Sequence, residues 1–341
     1  MKNRLDGVSV KSIVCSVPQG KDIINESSRS KEDIEKFIAV TGVIEKRTSN
    51  HNYTTLDLCE YSFNHIISQL NWEKESVDIL VFVSQTPDYS VPPSSVVLQG
   101  RLNLGKRTVC IDISRGCTGW VEGLVYVSGL MKSLYLQKGI LLSGETNILS
   151  DKDLDNNFYL MGDAGSATAL ELDDNGTISF DILNNGKMFD AIFAPKSGAR
   201  YISSLSEGNT TKTSSLSSMV SLNGHSVFEF VLKEVVPQIK NFIISNAIEK
   251  EIDSILLHQA SKIINEYIEK SISLQYVSFP KSLSYFGNTS SASIPLTICS
   301  NTDKVDFKRK NVLCCAFGVG MSSAIVYFKF NESVIFSLIE I

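Results

Sequence analysis

Four short segments hold the side chains best suited to chemistry. In ISRGCTGWVEG (113–123), Cys117 stands between Gly116 and Gly119, after the apolar run Thr108 to Ile113 and before a long helical pattern. A thiol at a strand-to-helix corner meets the unpaired N–H groups of a helix start, a setting that lowers its pKa and suits it to act as a nucleophile. His258 closes the apolar run SILLH and opens HQASKIINEYI, beyond the carboxyl end of a strand, where α/β sheets expose function. A histidine so placed can equally be a core or capping residue. Asn288 lies in YFGNTSSASIP, where Phe286 and Gly287 call for a turn and the Ser/Thr run can cap a helix. In AFGVGMSSA, Gly318 and Gly320 flank Val319, so the backbone there can approach a ligand and its N–H groups can hold an oxyanion. His51, His65 and His225 have no comparable setting and read as structural.

The elements that must position these residues alternate. VDILVFVS (77–84), a helix near 93–103, TVCIDIS (108–114), a helix from 117 to about 137 and GILLSGE (139–145) follow βαβ grammar. The runs are apolar on both faces, as strands covered by helices on both sides require. A second half repeats the pattern. IDSILLHQA (252–260) matches VDILVFVSQ (77–85), SSASIPLTI (290–298) matches PSSVVLQ (93–99), and NVLCCAFGVGMSSAIVYF (311–328) matches GILLSGE followed by GDAGSATALEL (162–172). The expected halves are residues 1–178, with the cysteine, and 179–341, with the histidine and asparagine. Between them a polar Ser/Thr/Gly-rich segment, 196–219, is expected to run over the surface and could cover a substrate entrance. A helix with an apolar stripe is expected from about Ser226 through VFEFVLKEVVPQIKNFI.

Composition narrows the function classes. The 341 residues are 43% hydrophobic and 20% charged, with a net charge of −5, the make-up of a soluble globular protein. The longest basic block is FKRK (307–310), so neither nucleic acid nor an anionic membrane is an expected partner. No signal-peptide pattern opens the chain and no membrane-length apolar run occurs in it, which predicts a cytoplasmic protein. Seven cysteines without CxxC spacing argue for reduced thiols, six of them core filler, and against zinc or disulfides.

Taken in order, DxSxGCxGxxxGL, MGDAGSA, HQAxK, FGNTSSAS and FGxG closely resemble the β-ketoacyl-acyl-carrier-protein synthase III family of the thiolase superfamily. The resemblance runs from TGVIEKR (41–47) to AIVYF (324–328). It implies a duplicated, five-layered αβαβα thiolase-like fold and a homodimer. By this resemblance Cys117 takes an acyl group from an acyl-CoA or acyl-carrier thioester, and His258 and Asn288 polarise the thioester carbonyl of malonyl-acyl-carrier protein. The N–H groups of Cys117 and Val319 would form the oxyanion hole for the acyl carbonyl. Val91, Lys262, Phe286, Gly318 and Gly320 are the implied substrate contacts. Val91 sits in the loop that closes the partner's acyl pocket, and Lys262 stands near the carrier-docking surface. No metal or bound organic cofactor is implied.

The chain also departs from the family pattern. Lys36 and Val40 stand where a tryptophan and an arginine usually hold the coenzyme A nucleotide, Lys262 replaces an arginine, and the tryptophan after the final glycine loop is absent. Four other readings compete. A Cys, His, Asn order, with 141 residues from Cys117 to His258, also fits papain-like proteases. Against this, the tryptophan lies three residues after the cysteine instead of next to it, and no secretory signal is present. An acyltransferase passing the group to an alcohol or amine without decarboxylation is the chief alternative. Hydroxymethylglutaryl-CoA-synthase-like chemistry needs a general-acid glutamate near the cysteine, and Glu122, on the helix, is expected to point away. A scaffold without activity would be marked by loss of Cys117, His258 or Asn288, and all three are present.

Overall fold

The structure, a computed structural model, describes residues 3–27, 29–50, 52–147, 158–195 and 220–341. His51 and the segment 196–219 lie outside the described residues. Two long strands form the axis: β1 (Asn3–Val17) runs antiparallel to β7 (Ala164–Asn184). The pairing slips near Gly176, where a Cβ would meet the Val8 carbonyl oxygen at 2.0 Å, so only glycine lets the two backbones approach so closely. Short strands β2 (Lys21–Ile23) and β3 (Glu45–Arg47) pair beside this core.

Two fans of strands open from β7. Its first stretch pairs with β6 (Lys138–Glu145), which continues in parallel to β4 (Ile79–Val83) and then β5 (Val109–Ile113). Its second stretch pairs with β12 (Ser322–Lys329), followed by β11 (Asn311–Gly318) and β10 (Ser254–Leu257). Ile192–Phe193 (β8) and Ser221–Leu222 (β9) pair apart from these, and β13 (Ile335–Glu340) runs parallel to β1. Two of the three matched pairs hold equivalent places, β4 with β10 and β6–β7 with β11–β12; the third does not, because the helix Ser94–Arg101 packs in an outer layer and the helix Ser293–Cys299 in the middle one. We propose that the chain divides into halves near residue 178, where β7 passes from one fan to the other.

Strand alternation builds the layers. Ile79, Val81 and Val83 of β4 share a core with Val312, Cys314 and Ala316 of β11, packed around the helices Gly119–Leu134 and Ser293–Cys299. The alternate residues face outward: Leu80 and Phe82 towards α2 (Thr55–Leu70) and α3 (Ser94–Arg101), and Leu313, Cys315 and Phe317 towards the helices between Gly224 and Ile272. The result is helix, sheet, helix, sheet, helix. Helix α4 (Gly119–Leu134) occupies the middle layer, so its sequence is apolar nearly all round, and Trp120 uses its one polar atom on Thr168 Oγ1 at 2.9 Å. The stripe predicted from Ser226 forms two helices, Gly224–Phe230 and Val236–Asn246, joined by a π turn at Val231–Val235. Pro237 explains the interruption, because it has no N–H to continue the α ladder. No helix among the described residues is long and apolar enough to cross a membrane.

Candidate active site

The Cys117 corner is built by close approach on every side. A Cβ at Gly116 would lie 2.4 Å from Gln85 Oε1, and one at Gly119 would lie 2.5 Å from Val83 Cγ1. A Cβ at Gly318 would lie 2.6 Å from Cys117 Sγ. These glycines press the corner against the end of β4 and the end of β11. The Val319 N–H and the Ser290 hydroxyl donate to the sulfur, and the cysteine's own N–H lies beside it and also favours the charged form. The thiol nevertheless does not have the lowered pKa expected from its place before a helix. Burial pushes it up, with help from the nearby Glu145 carboxylate, and the donors only partly offset this. In the resting protein the sulfur is therefore a thiol, facing the Val319 N–H and the Ser290 hydroxyl.

His258 follows β10 directly, anchored by its N–H to the Cys315 carbonyl at 2.9 Å. The Ser293 hydroxyl meets Nδ1 at 2.7 Å, which leaves Nε2 without a protein partner among the described residues. Burial lowers the imidazole pKa to about 3, so the ring is neutral across the physiological range. Gln259, the second residue of HQA, is equally buried and fastens the loop by accepting from the N–H groups of Ser282 and Leu283. Asn265 donates to the His258 carbonyl at 3.1 Å.

Asn288 is held by the MGDAGSA segment and the residue before it: its N–H donates to Leu160 O at 2.8 Å, and its carbonyl accepts from the Gly162 N–H at 3.0 Å. A Cβ at Gly162 would fall 1.9 Å from the Phe286 carbonyl oxygen, which explains the glycine of that segment. Oδ1 of Asn288 accepts from the Ser290 N–H at 2.9 Å, so the amide Nδ2 is the group left to donate.

Cys117, His258, Asn288 and Val319 line one cavity of about 510 Å³. Val40, Leu222, Val227, Phe228, Ile263 and Ile264 supply apolar wall, a lining typical of small-molecule sites. Among the described residues no Lys or Arg lines it, and Glu145 is its one acidic side chain. Of the five implied substrate contacts, only Gly318 lines the cavity. Gly320 lies just beyond it. Phe286 packs on the core beneath the Arg47 guanidinium, Lys262 is exposed with its stem over Gly42, and Val91 is 83% exposed. Lys36 pairs with Glu32 at 2.7 Å on α1 (Lys31–Thr41), outside the cavity. Glu122 points away as expected, buried among Thr118, Tyr126 and Arg115. All seven cysteines are free, and all but Cys110 and Cys117 are buried.

Comparison with known families matches residues 111–186 to "3-Oxoacyl-[acyl-carrier-protein (ACP)] synthase III" and residues 245–330 to the C-terminal part of the same enzymes, which together enclose Cys117, His258 and Asn288. The chain belongs to the 3-oxoacyl-acyl-carrier-protein synthase III family. Among its relatives, a putative 3-oxoacyl-acyl-carrier-protein synthase 3 of Campylobacter jejuni is 28% identical over 96% of this chain and 96% of that one. A β-ketoacyl-acyl-carrier-protein synthase III of Clostridium acetobutylicum is 27% identical over 91% and 96%. The crystal structure of a 3-oxoacyl-acyl-carrier-protein synthase from Burkholderia xenovorans superposes with a TM-score of 0.91 at 27% identity, over 100% of this chain and 99% of that one. The fold of this synthase III family member is therefore the expected thiolase-like α/β fold, and the protein is an acyltransferase-type enzyme.

The residues that sequence reasoning missed are the ones that hold others. Ser293, Gln259 and Glu145 act through contacts between elements distant in the chain, and Asn265 reaches back seven residues to His258; Gln259 and Ser293 lay within motifs already quoted, but no local rule marks what they hold. Ser290 lay within a motif already singled out, but only as part of a capping run.

Proposed function

We propose that this enzyme takes an acyl group from an acyl thioester onto Cys117 and condenses it, with decarboxylation, onto malonyl-acyl-carrier protein. In the first step the thiolate attacks the thioester carbonyl, the C–S bond to the donor breaks, and the departing thiolate takes the proton that Cys117 gave up. The N–H groups of Cys117 and Val319 are suited to the tetrahedral oxyanion. In the second step loss of CO2 from the malonyl group leaves an enolate. Its carbon attacks the acyl-Cys117 carbonyl, releasing β-ketoacyl-carrier product and regenerating the cysteine.

The observation that supports condensation best is the state of His258. With its pKa lowered to about 3 the ring is a feeble base, which counts against passing the acyl group to an alcohol or amine by proton abstraction. A neutral ring whose Nδ1 accepts from Ser293 presents Nε2–H as a donor, and the Asn288 amide presents another. Together they are suited to an enolate oxygen. On this reading the carrier protein is the partner, the enzyme works as a cytoplasmic homodimer, Val91 reaches the partner's acyl pocket, and Lys262 stands near the docking face.

The test incubates purified enzyme with a panel of acyl-CoAs and malonyl-carrier protein, followed by intact-mass spectrometry. Wild type should show a transient acyl adduct and a ketoacyl carrier, and Cys117→Ala should show neither. His258→Ala and Asn288→Ala should still load but lose roughly 10²–10³ in condensation. A stable adduct that malonyl-carrier protein cannot discharge would favour simple acyl transfer.

A further inference from the structure

Glu145 closes β6 and is 6% exposed, yet it lines the cavity with Cys117. A carboxyl taken so far out of water must be well bonded or lose its charge. It accepts from Ser84 Oγ at 3.0 Å, from Thr86 Oγ1 at 2.7 Å and from the Gln85 N–H at 3.0 Å. Among the described residues no Lys or Arg forms an ion pair with it. Burial outweighs those hydrogen bonds and lifts its pKa to about 7.

Among the described residues, the titratable groups around it offer no compensating positive charge. Cys117 at the β5–α4 corner and Cys59 on α2 both have thiols that Glu145 helps to push up. Asp88, in the loop after β4, is itself pushed up by burial. Asp163, at the head of β7, is engaged by the N–H groups of Ser49 and Asn147, and His258 is neutral. Two anions in one cavity, with no cation among the described residues that line it, repel each other at low dielectric.

We propose that Glu145 is a positioning residue that controls when Cys117 ionises: its carboxylate and the Cys117 thiolate exclude each other, so the cavity holds one negative charge at a time. When Cys117 loses its proton, Glu145 gains one. The cavity therefore stays at a constant charge while the nucleophile is made. The inference rests on Cys117 being the reactive thiol of the proposed function, and adds what regulates it.

The test is the pH profile of Cys117 alkylation by iodoacetamide on the full chain, read peptide by peptide so that Cys110 does not contribute. Glu145→Gln, which carries no charge, should move the midpoint about one pH unit towards acid, roughly a tenfold faster reaction at pH 7.5. Thr86→Val removes one donor from the carboxylate, keeps Glu145 protonated to higher pH, and should shift the profile the same way by less. Should Glu145→Gln fail to fold by circular dichroism, Thr86→Val decides alone. Folded variants whose profiles coincide with wild type overturn the proposal. Because alkylation needs no acyl substrate, a shifted profile in a protein that never loads an acyl group would refute the proposed reaction and leave this control intact.

Discussion

Replacing Gly318 by alanine tests whether the nucleophile depends on the backbone pressed against it. The new Cβ would lie 2.6 Å from Cys117 Sγ and 2.7 Å from its Cβ. Ordinary contact between such atoms begins near 3.5 Å, so about 1 Å of separation must be created. The φ of +156° at Gly318 adds strain for any side chain. Overpacking of this kind costs about 1–3 kcal/mol of stability. The more informative effect is chemical. A retreat of about 1 Å breaks the bond from the Val319 N–H to the sulfur, and a hydrogen bond to a charged group contributes about 1.5–3 kcal/mol. At about 1.4 kcal/mol per pH unit this raises the thiol pKa by one to two units, and below the midpoint it slows thiolate reactions about 10- to 100-fold. Stopped incubations with iodoacetamide and with acyl-CoA, read by intact mass, measure both rates, and a urea melt measures stability. A folded Gly318→Ala protein that is alkylated and loaded at wild-type rates would show that the close approach has no part in holding or activating the sulfur.

Two further outcomes follow from the same geometry. Ser293→Ala removes the hydroxyl that fixes Nδ1 of His258. Condensation should fall, by less than the roughly 10²–10³ of losing the donor outright, while acyl loading stays at the wild-type rate; an equal loss in both half-reactions would refute the orienting role. Stability should depend on pH through Glu145, whose folded pKa of about 7 stands above its ordinary value of 4.5. A raised folded pKa gives stability that is complete below the unfolded pKa and is lost as pH rises through the folded one. Over about 2.5 pH units the loss is about 3 kcal/mol. Glu145→Gln lacks this term, so urea melts at pH 5 and pH 8, most of that range, should show the variant gaining on wild type by about 2.5 kcal/mol. His258, lowered to about 3, works the other way between about pH 3 and 6.5, but it is common to both proteins and cancels. A constant difference between the two proteins would contradict the assigned protonation.

Much of this arrangement was legible in the sequence because it rests on local rules. Strands covered on both faces read as unbroken apolar runs, so β4, β6 and β11 stood out, and βα corners placed Cys117 and His258 where their strands end. Three features departed from the sequence reading. The helix expected across Pro237 is interrupted because the proline's missing N–H outweighs a continuous apolar stripe. The thiol pKa was read from the corner alone, where donors are visible; the burial that decides its direction, and the Glu145 charge that adds to it, come from elements distant in the chain, with β11 pressed against the sulfur at Gly318. Glu145 itself read as the polar end of a strand. Its neighbours Ser84 and Thr86 are about 60 residues away in the chain and adjacent only across the β4–β6 pairing.

The absence of a cation among the described cavity residues bears on the chemistry as a whole. In a papain-like arrangement an imidazolium stabilises the thiolate as an ion pair; here burial keeps His258 uncharged, and the sulfur relies on N–H and O–H donors instead. That arrangement suits a two-step reaction better than an ion pair would. An imidazolium beside the enolate of the proposed second step is acidic enough to protonate it, which ends the reaction in a dead carrier thioester. A neutral Nε2–H and the Asn288 amide can hold the enolate oxygen by hydrogen bonds without giving up their protons, so the carbon remains a nucleophile until it meets the acyl group on Cys117. The neutrality of His258 thus follows from the apolar core around it, Phe317 at 5.7 Å edge-to-face included, and the fold sets the chemistry by deciding which groups are denied water.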